Sequence, residues 1–407
     1  MILSIIKSKA CLKIGDPVLR TNQPLSIELG PGKVTPKFLI IFQGLVGQIF
    51  DGIQRPLETH ISGKALVHKG EITSGLDPSK LWEFFPNTNI KIDSLISEGD
   101  VIGHVFENNL FREHKILLPP KAKGKVTYTA PGGFYTVKDK IIEVENNTKI
   151  EQYTMSHKWP VRQPRPYIEK IPSNELFITG QRVIDVLFPS VLGGACSFGS
   201  TTNTRNFISR SLSSHSNSDL TIYVGCEKTE EEAQAIVKEF RSAIIFSKDK
   251  EENLINKTCL ITNTVNMPLA SQEASILSGI TIAEYFRDMG YNVSFIVDSI
   301  TKWVRAIRET KQTPELPTGF GYSSYISSRV GQIYERAGRV QCFGSQDRKG
   351  SLTFIGALTP PNGDFAGSAS IATLISSRVT WFLEEQLAQK NHFPPINWRT
   401  SFAYDDG

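Results

Sequence analysis

No apolar run in this 407-residue chain is long enough to cross a bilayer. The longest, Phe38 to Phe50, is broken by Gln43, Gly44, Gly47 and Gln48, and falls short of the roughly 20 residues a membrane helix needs. The opening Met1-Ile2-Leu3-Ser4-Ile5-Ile6-Lys7 has too short an apolar core for a signal peptide. No charge of one sign dominates: 45 Lys and Arg stand against 41 Asp and Glu, and a net +4 excludes an argument for a nucleic-acid partner. Cysteine is sparse. Cys11, Cys196, Cys226, Cys259 and Cys342 are an odd, scattered set without paired metal spacing, which fits reduced thiols in the cytosol rather than a disulfide framework. Lysine is ordinary overall but does not occur between Lys170 and Lys228.

What is present divides by texture. Residues 15 to 56 carry turn signals (Gly15-Asp16-Pro17, Gly30-Pro31-Gly32) between short apolar segments, as a small β element does. From 61 to 155 short alternating runs such as Val101-Ile102-Gly103-His104-Val105 and Lys125 to Thr129 predict an all-β module with little helix. Trp159-Pro160-Val161-Arg162-Gln163-Pro164-Arg165-Pro166 reads as an extended, proline-punctuated connector. Beyond it strands alternate with helices. Leu220 to Val224, Thr258 to Thr262 and Val293 to Asp298 are strand-like, Glu230 to Phe240 is helical, and Ser271 to Met289 is the clearest helix, with Gly290 as its C-cap. Such alternation predicts a parallel sheet covered on both faces.

The stretch GGACSFGSTTNTRN, Gly193 to Asn206, lies between a strand-like and a helix-like run, where phosphate-binding loops are found. Downstream, Asp298 ends an apolar strand, as does the carboxylate that holds Mg²⁺ through its water in nucleotide-triphosphate enzymes. Each feature has a blander reading. Strand-end Asp is commonly a helix N-cap or turn residue, and Glu335-Arg336, Arg305 and Arg308 read as solvated charges or weak surface pairs. Phe393, before Pro394-Pro395, reads by default as a buried aromatic.

Longer motifs narrow the choice. Gly15 to Thr21, Ile49 to Pro56 (IFDGIQRP), Trp159 to Arg165, Tyr223 to Cys226, Asn266-Met267-Pro268, Ile280 to Val293 (ITIAEYFRDMGYNV), Tyr334 to Val340 (YERAGRV) and His392 to Trp398 (HFPPINW) together resemble the catalytic A subunits of vacuolar-type (V-type) proton-translocating ATPases. The resemblance runs from about Gly15 to Ser401. It implies a P-loop-NTPase-type α/β core over 156–407, an N-terminal β-barrel remnant and connector over 1–60, and an inserted β-rich bulge domain over 61–155. It also implies ATP and Mg²⁺ as cofactors, and a ring of three A and three B subunits around a central rotor stalk. The chain would then sit on the cytosolic face of vacuolar or other acidic endomembranes, meeting the membrane only indirectly. Phe393 would stack on adenine, and Asp298 would fall on the Mg²⁺ side.

The resemblance weakens at the chemistry. The family's phosphate loop reads GAFGCGKT, and this chain is one residue shorter. Anchored on the following helix, Gly199 takes the first glycine, Thr204 the last, Arg205 the lysine position and Asn206 the threonine that faces Mg²⁺; anchored on the leading glycines, serine replaces lysine. Neither register supplies a lysine to set a compact charge on the β- and γ-phosphates. Where the family has VGCGERGNE, this chain has VGCEKTEEE, so Lys228 takes the place of the glutamate that orients the attacking water, with Glu227 one residue away. Thr229 takes the adjoining arginine's place, and Gln272 replaces another family arginine. Relative to the family, the segment Lys33 to Gly44 (KVTPKFLIIFQG) is extra, as a translated intron would be, while most of the barrel and the C-terminal helical domain are missing. The expectation is an A-subunit-like protein with phosphate binding weakened and catalysis impaired or lost. Two alternatives remain: an active ATP-hydrolysing A subunit, and the product of a decayed or wrongly delimited gene.

Overall fold

The computed structural model describes residues 23–31, 45–57, 74–146, 149–199, 202–247, 250–311, 324–360 and 363–404. The predicted strands and helices from Leu220 onward fall on observed elements. The motif at 15–21 and the extra segment at 33–44 lie outside the described residues.

A ten-stranded sheet organises the chain. Its principal strands are β1 (Ile49–Phe50), β2 (Ala195–Gly199), β3 (Leu220–Lys228), β4 (Thr258–Thr264), β5 (Asn292–Asp298), β6 (Lys349–Leu358), β7 (Val379–Phe382) and β8 (Phe402–Ala403). In space they run β1-β4-β3-β5-β6-β2-β7-β8, parallel from β1 to β7, with β8 antiparallel at the edge. Every residue of β3 is buried, as expected of a parallel strand covered on both faces. The order places β2 away from β3, its successor in the chain. The carboxyl ends at this reversal form the crevice where open α/β sheets bind ligands.

Helices α1 (Thr202–His215), α2 (Glu230–Ser242), α3 (Leu269–Asp288), α4 (Ile300–Lys311), α5 (Ser324–Tyr334) and α6 (Ser368–Ser376) account for the longer helical runs. The start of α2 is specified locally. The Thr229 hydroxyl accepts from Glu232 N–H at 3.1 Å, and the Glu232 carboxylate accepts from Thr229 N–H at 3.2 Å, a capping box worth about 1 kcal/mol or more. Thr229, in an arginine's place by resemblance, thus serves here as a helix cap.

α3, about 30 Å long, is the central helix, and it departs from the one-faced pattern its apolar spacing suggests. It begins two residues earlier than predicted, and everything from Ser271 to Asp288 is buried. Ile276, Ile280 and Phe286 each contribute about 1.5–3 kcal/mol by burial. Gly290, at φ +91°, ends the helix and donates to the Arg287 carbonyl at 2.8 Å, a conformation that favours glycine.

The polar residues of α3 are buried in partnership. Arg165 Nε donates to Asp288 Oδ2 at 2.6 Å, and Arg165 N–H to Glu284 Oε2 at 2.9 Å. Arg287 reaches Asp288 Oδ1 at 2.8 Å, and Arg336 grips Glu284 with two bonds at 2.8 and 2.5 Å. Arg336, expected to be solvated, has only 8% of its side chain exposed. The segment around Trp159 is likewise more than a connector: His157–Pro160 pairs antiparallel with Ser26–Leu29.

Between these parts lie two four-stranded antiparallel sheets, drawn from Trp82–Pro86, Val101–Val105, His114–Leu117 and Gly133–Tyr135, and from Leu95–Ile96, Gly124–Thr129, Lys140–Asn146 and Lys149–Thr154. Among the described residues they contain no helix. Their own core includes Trp82, Phe84, Ile102 and Val126. The module docks on the end of α3, where His114 Nε2 and the Tyr285 hydroxyl share a 2.8 Å hydrogen bond and Phe111 meets Phe286 edge-on.

Four cysteines are buried, and burial pushes the Cys196 and Cys226 thiols up to about 12, so they are unreactive thiols. His157 is the pH-sensitive member of the charged cluster. Burial first, and the Arg165 guanidinium 2.9 Å from its Nε2 second, hold it well below its ordinary 6.5. The unfolded chain therefore takes up a proton there that the folded chain refuses. This contribution to stability is present above pH 6.5 and falls as pH drops below it. We predict that urea midpoints decline from pH 7 to 5 and that His157→Gln makes this decline shallower; an unchanged slope would refute the assignment.

Candidate functional site

β2 carries the chain to Gly199, whose neighbours in register are Leu358 on β6 and Phe382 on β7. A side chain at Gly199 would lie 2.6 Å from the Phe365 ring, so glycine is required here for close approach. α1 begins at Thr202, leaving only residues 200 and 201 between strand and helix. Thr204, Arg205 and Asn206 therefore fall within the helix backbone. A phosphate cradle needs several backbone N–H groups curled around one anion, and a helix N-terminus can donate such groups.

Asp298 ends β5, two strand spacings from Gly199, or about 10 Å. It is fully buried, so it is neither a solvent-facing turn residue nor an exposed helix cap. Lys228 Nζ lies 2.6 Å from its Oδ2, and the Tyr223 hydroxyl donates to the same oxygen at 2.7 Å. Only 1% of the lysine side chain and none of the aspartate is exposed.

The strand explains this meeting. Gly225 pairs with Thr262 and Lys228 with Thr264, so β3 carries one extra residue relative to β4. Regular alternation would put Tyr223 and Lys228 on opposite faces. The bulge reverses that parity and brings both to Asp298. Glu227 absorbs the turn at φ +49°, in the left-handed region that a non-glycine residue adopts at a cost. The lysine stem passes over Gly225, where a β-carbon would meet Lys228 Cγ at 3.4 Å, an ordinary van der Waals contact.

Glu227 has a different set of partners. Its carboxylate pairs with Arg305, and its carbonyl accepts from Lys302 Nζ at 2.8 Å, both from α4. Gln272 turns its amide onto the carbonyls of Met267 at 3.1 Å and of Thr264 and Val265 at 3.4 Å, binding the turn before α3 to the helix. Phe393, expected to be buried, is 53% exposed. Its loop flanks the end of β2, because Leu383 N–H donates to the Gly199 carbonyl at 2.8 Å and Glu384 N–H to the Pro395 carbonyl at 2.9 Å.

The structure thus gathers Gly199, the start of α1, Asp298, Lys228 and the Phe393 loop at one end of the sheet. Sequence reasoning missed the Tyr223–Lys228–Asp298 contact; the extra residue after Gly225 that produces it has no compositional mark. Among the described residues, no group of three His, Cys, Asp or Glu side chains could hold a metal ion, and no helix is long and apolar enough to cross a membrane.

Comparison with known proteins identifies the family and the fold. Residues 180–403 match the ATP synthase alpha/beta family, nucleotide-binding domain, and residues 73–162 match the alpha/beta subunit barrel-sandwich domain. V-type proton ATPase catalytic subunits A from Arabidopsis thaliana and Hordeum vulgare are each 45% identical over 406 residues, or 98% of this chain. The chain spans 63% of the Arabidopsis protein and 68% of the barley protein. Among solved structures, an ATPase of a bacterial type III secretion system aligns with a TM-score of 0.52 at 22% identity, covering 64% of this chain and 70% of that one, a likeness of fold.

A buried pair broken on one side leaves an uncompensated charge. We predict that Lys228→Met destabilises the chain by about 3–5 kcal/mol in urea unfolding, whereas Lys228→Met with Asp298→Asn loses much less. Equal losses in the two variants would refute the coupling.

Proposed function

We propose that this chain, which belongs to the family of V-type proton ATPase catalytic A subunits, takes an A-type position in a ring with B subunits and does not itself hydrolyse ATP. The observation that carries the second half is the buried Lys228–Asp298 pair. Family catalysis asks for a glutamate at 228 to orient water and an available carboxylate at 298 on the Mg²⁺ side. Here the first is a cation, and it is bound to the second.

Members of this family use ATP and Mg²⁺ in general. The residues of this chain fit the nucleotide in part: the N-terminus of α1 offers N–H groups to a phosphate, and Phe393, 53% exposed, lies on the loop flanking the end of β2. They do not fit the metal, because Asp298 already carries an ammonium group and a phenol. Glu227 is a poor substitute base. It is turned to Arg305, and a misplacement near 1 Å costs on the order of 100-fold in rate.

In this reading residues 1–60 are the barrel remnant and connector, 61–155 the inserted bulge and 156–407 the nucleotide-binding domain. Its partners are the B subunit and the central rotor stalk, on the cytosolic face of an acidic endomembrane. Association is supported by the architecture that survives: the buried Arg165, Arg287 and Arg336 cluster keeps the Trp159–Arg165 and Tyr334–Val340 motifs packed on α3.

Two measurements test this. The purified chain mixed with B subunit shows no Mg-ATP hydrolysis above background; steady turnover abolished by Asp298→Ala would defeat the proposal. The chain also co-purifies with B subunit, and failure to do so favours a decayed gene product.

A further inference from the structure

We infer that the Lys228 ammonium is the resident cation of the Asp298 carboxylate, so that this site excludes divalent metal altogether. The inference rests on reading Asp298 as the Mg²⁺-side carboxylate of the proposed function, and goes further than loss of hydrolysis. A site that has merely lost its glutamate still binds metal. A site whose carboxylate is covered by an ammonium does not.

Three features of the chain support exclusion over weak binding. Lys228 Nζ and the Tyr223 hydroxyl both donate to Asp298 Oδ2, at 2.6 and 2.7 Å, so one carboxylate oxygen already carries two donors and the carboxylate charge already faces an ammonium. Mg²⁺ demands near-octahedral oxygen ligands at about 2.0–2.1 Å and gives up water reluctantly. What lies beside the carboxylate is a buried positive charge: the lysine side chain is 1% exposed, and the bulge turns it toward Asp298. Nor does a nearby carboxylate complete a metal site, since Glu227 is paired with Arg305.

The geometry also accounts for a lysine at this position in place of any other non-glutamate. In the family a divalent ion meets the carboxylate at the end of this strand. An ammonium on a four-carbon stem supplies a compensating charge to Asp298 from the adjacent strand.

The test uses the full chain and Mn²⁺ alone, a Mg²⁺ surrogate whose free form is counted by electron paramagnetic resonance. The comparator is Lys228→Met with Asp298→Asn, which removes both charges and avoids a lone buried one. The wild-type chain is expected to retain no more Mn²⁺ than this comparator, and its melting temperature is expected to respond to Mg²⁺ no more than to ionic-strength-matched Na⁺. Lys228→Met, with the carboxylate uncovered, is expected to retain additional Mn²⁺ and to gain about 2 °C or more on adding Mg²⁺. Greater retention by wild type than by the comparator overturns the inference, as does a folded Lys228→Met that gains nothing. Should Lys228→Met fail to fold, the wild-type comparison decides alone. A wild-type chain that binds Mn²⁺ at Asp298 yet does not hydrolyse ATP would sink this inference and leave the proposed function standing.

Discussion

Three guanidinium groups and two carboxylates buried around the end of α3 hold the parts of this protein in register. Arg165 comes from the segment after the first sheet pair, Glu284, Arg287 and Asp288 from α3, and Arg336 from the turn after α5. None of these elements could bury its charge alone, because an isolated ion in a dry interior costs several kcal/mol. Assembled, each charge is met by an opposite one and by directed hydrogen bonds. That makes the packing of the α3 end specific: an element displaced by one turn would strand a charge. The β-rich module uses the same surface, through His114 on Tyr285 and Phe111 on Phe286.

This explains which parts of the chain are legible in the sequence. The strands at Leu220, Thr258 and Asn292 and the capped helix after Thr229 are governed by local pattern: continuous apolar runs for covered strands, and a hydroxyl followed three residues later by glutamate for a helix start. α3 is legible as a helix but not as a fully buried one. Its polar residues look solvent-facing until Arg165 and Arg336, more than 50 residues away in either direction, are brought to them. Arg336 misleads for the same reason. Burial of a charge is a property of its partner, and the partner is not adjacent in sequence.

The site divides similarly. Its location can be read, since a strand followed by a glycine and a helix marks the carboxyl end of a parallel sheet, and Asp298 ends another strand of that sheet. The identity of what fills it cannot. Lys228 is visible as a replacement for glutamate, but period-two alternation points it away from Tyr223. Only the extra residue between Gly225 and Lys228, with Glu227 in a left-handed conformation, reverses its face. A one-residue change in register is invisible to composition and decisive for chemistry.

The two buried charge systems constrain different parts of the fold. The α3 cluster is built from the motifs that mark the family, and it fixes how the elements pack. The Lys228–Asp298 pair lies at the carboxyl end of the parallel strands, and it balances one buried charge with another. An uncompensated charge at Asp298 would cost an amount comparable to much of a domain's marginal stability. Here the carboxylate is matched by an ammonium and a phenol, and a bulge sets the direction of the lysine.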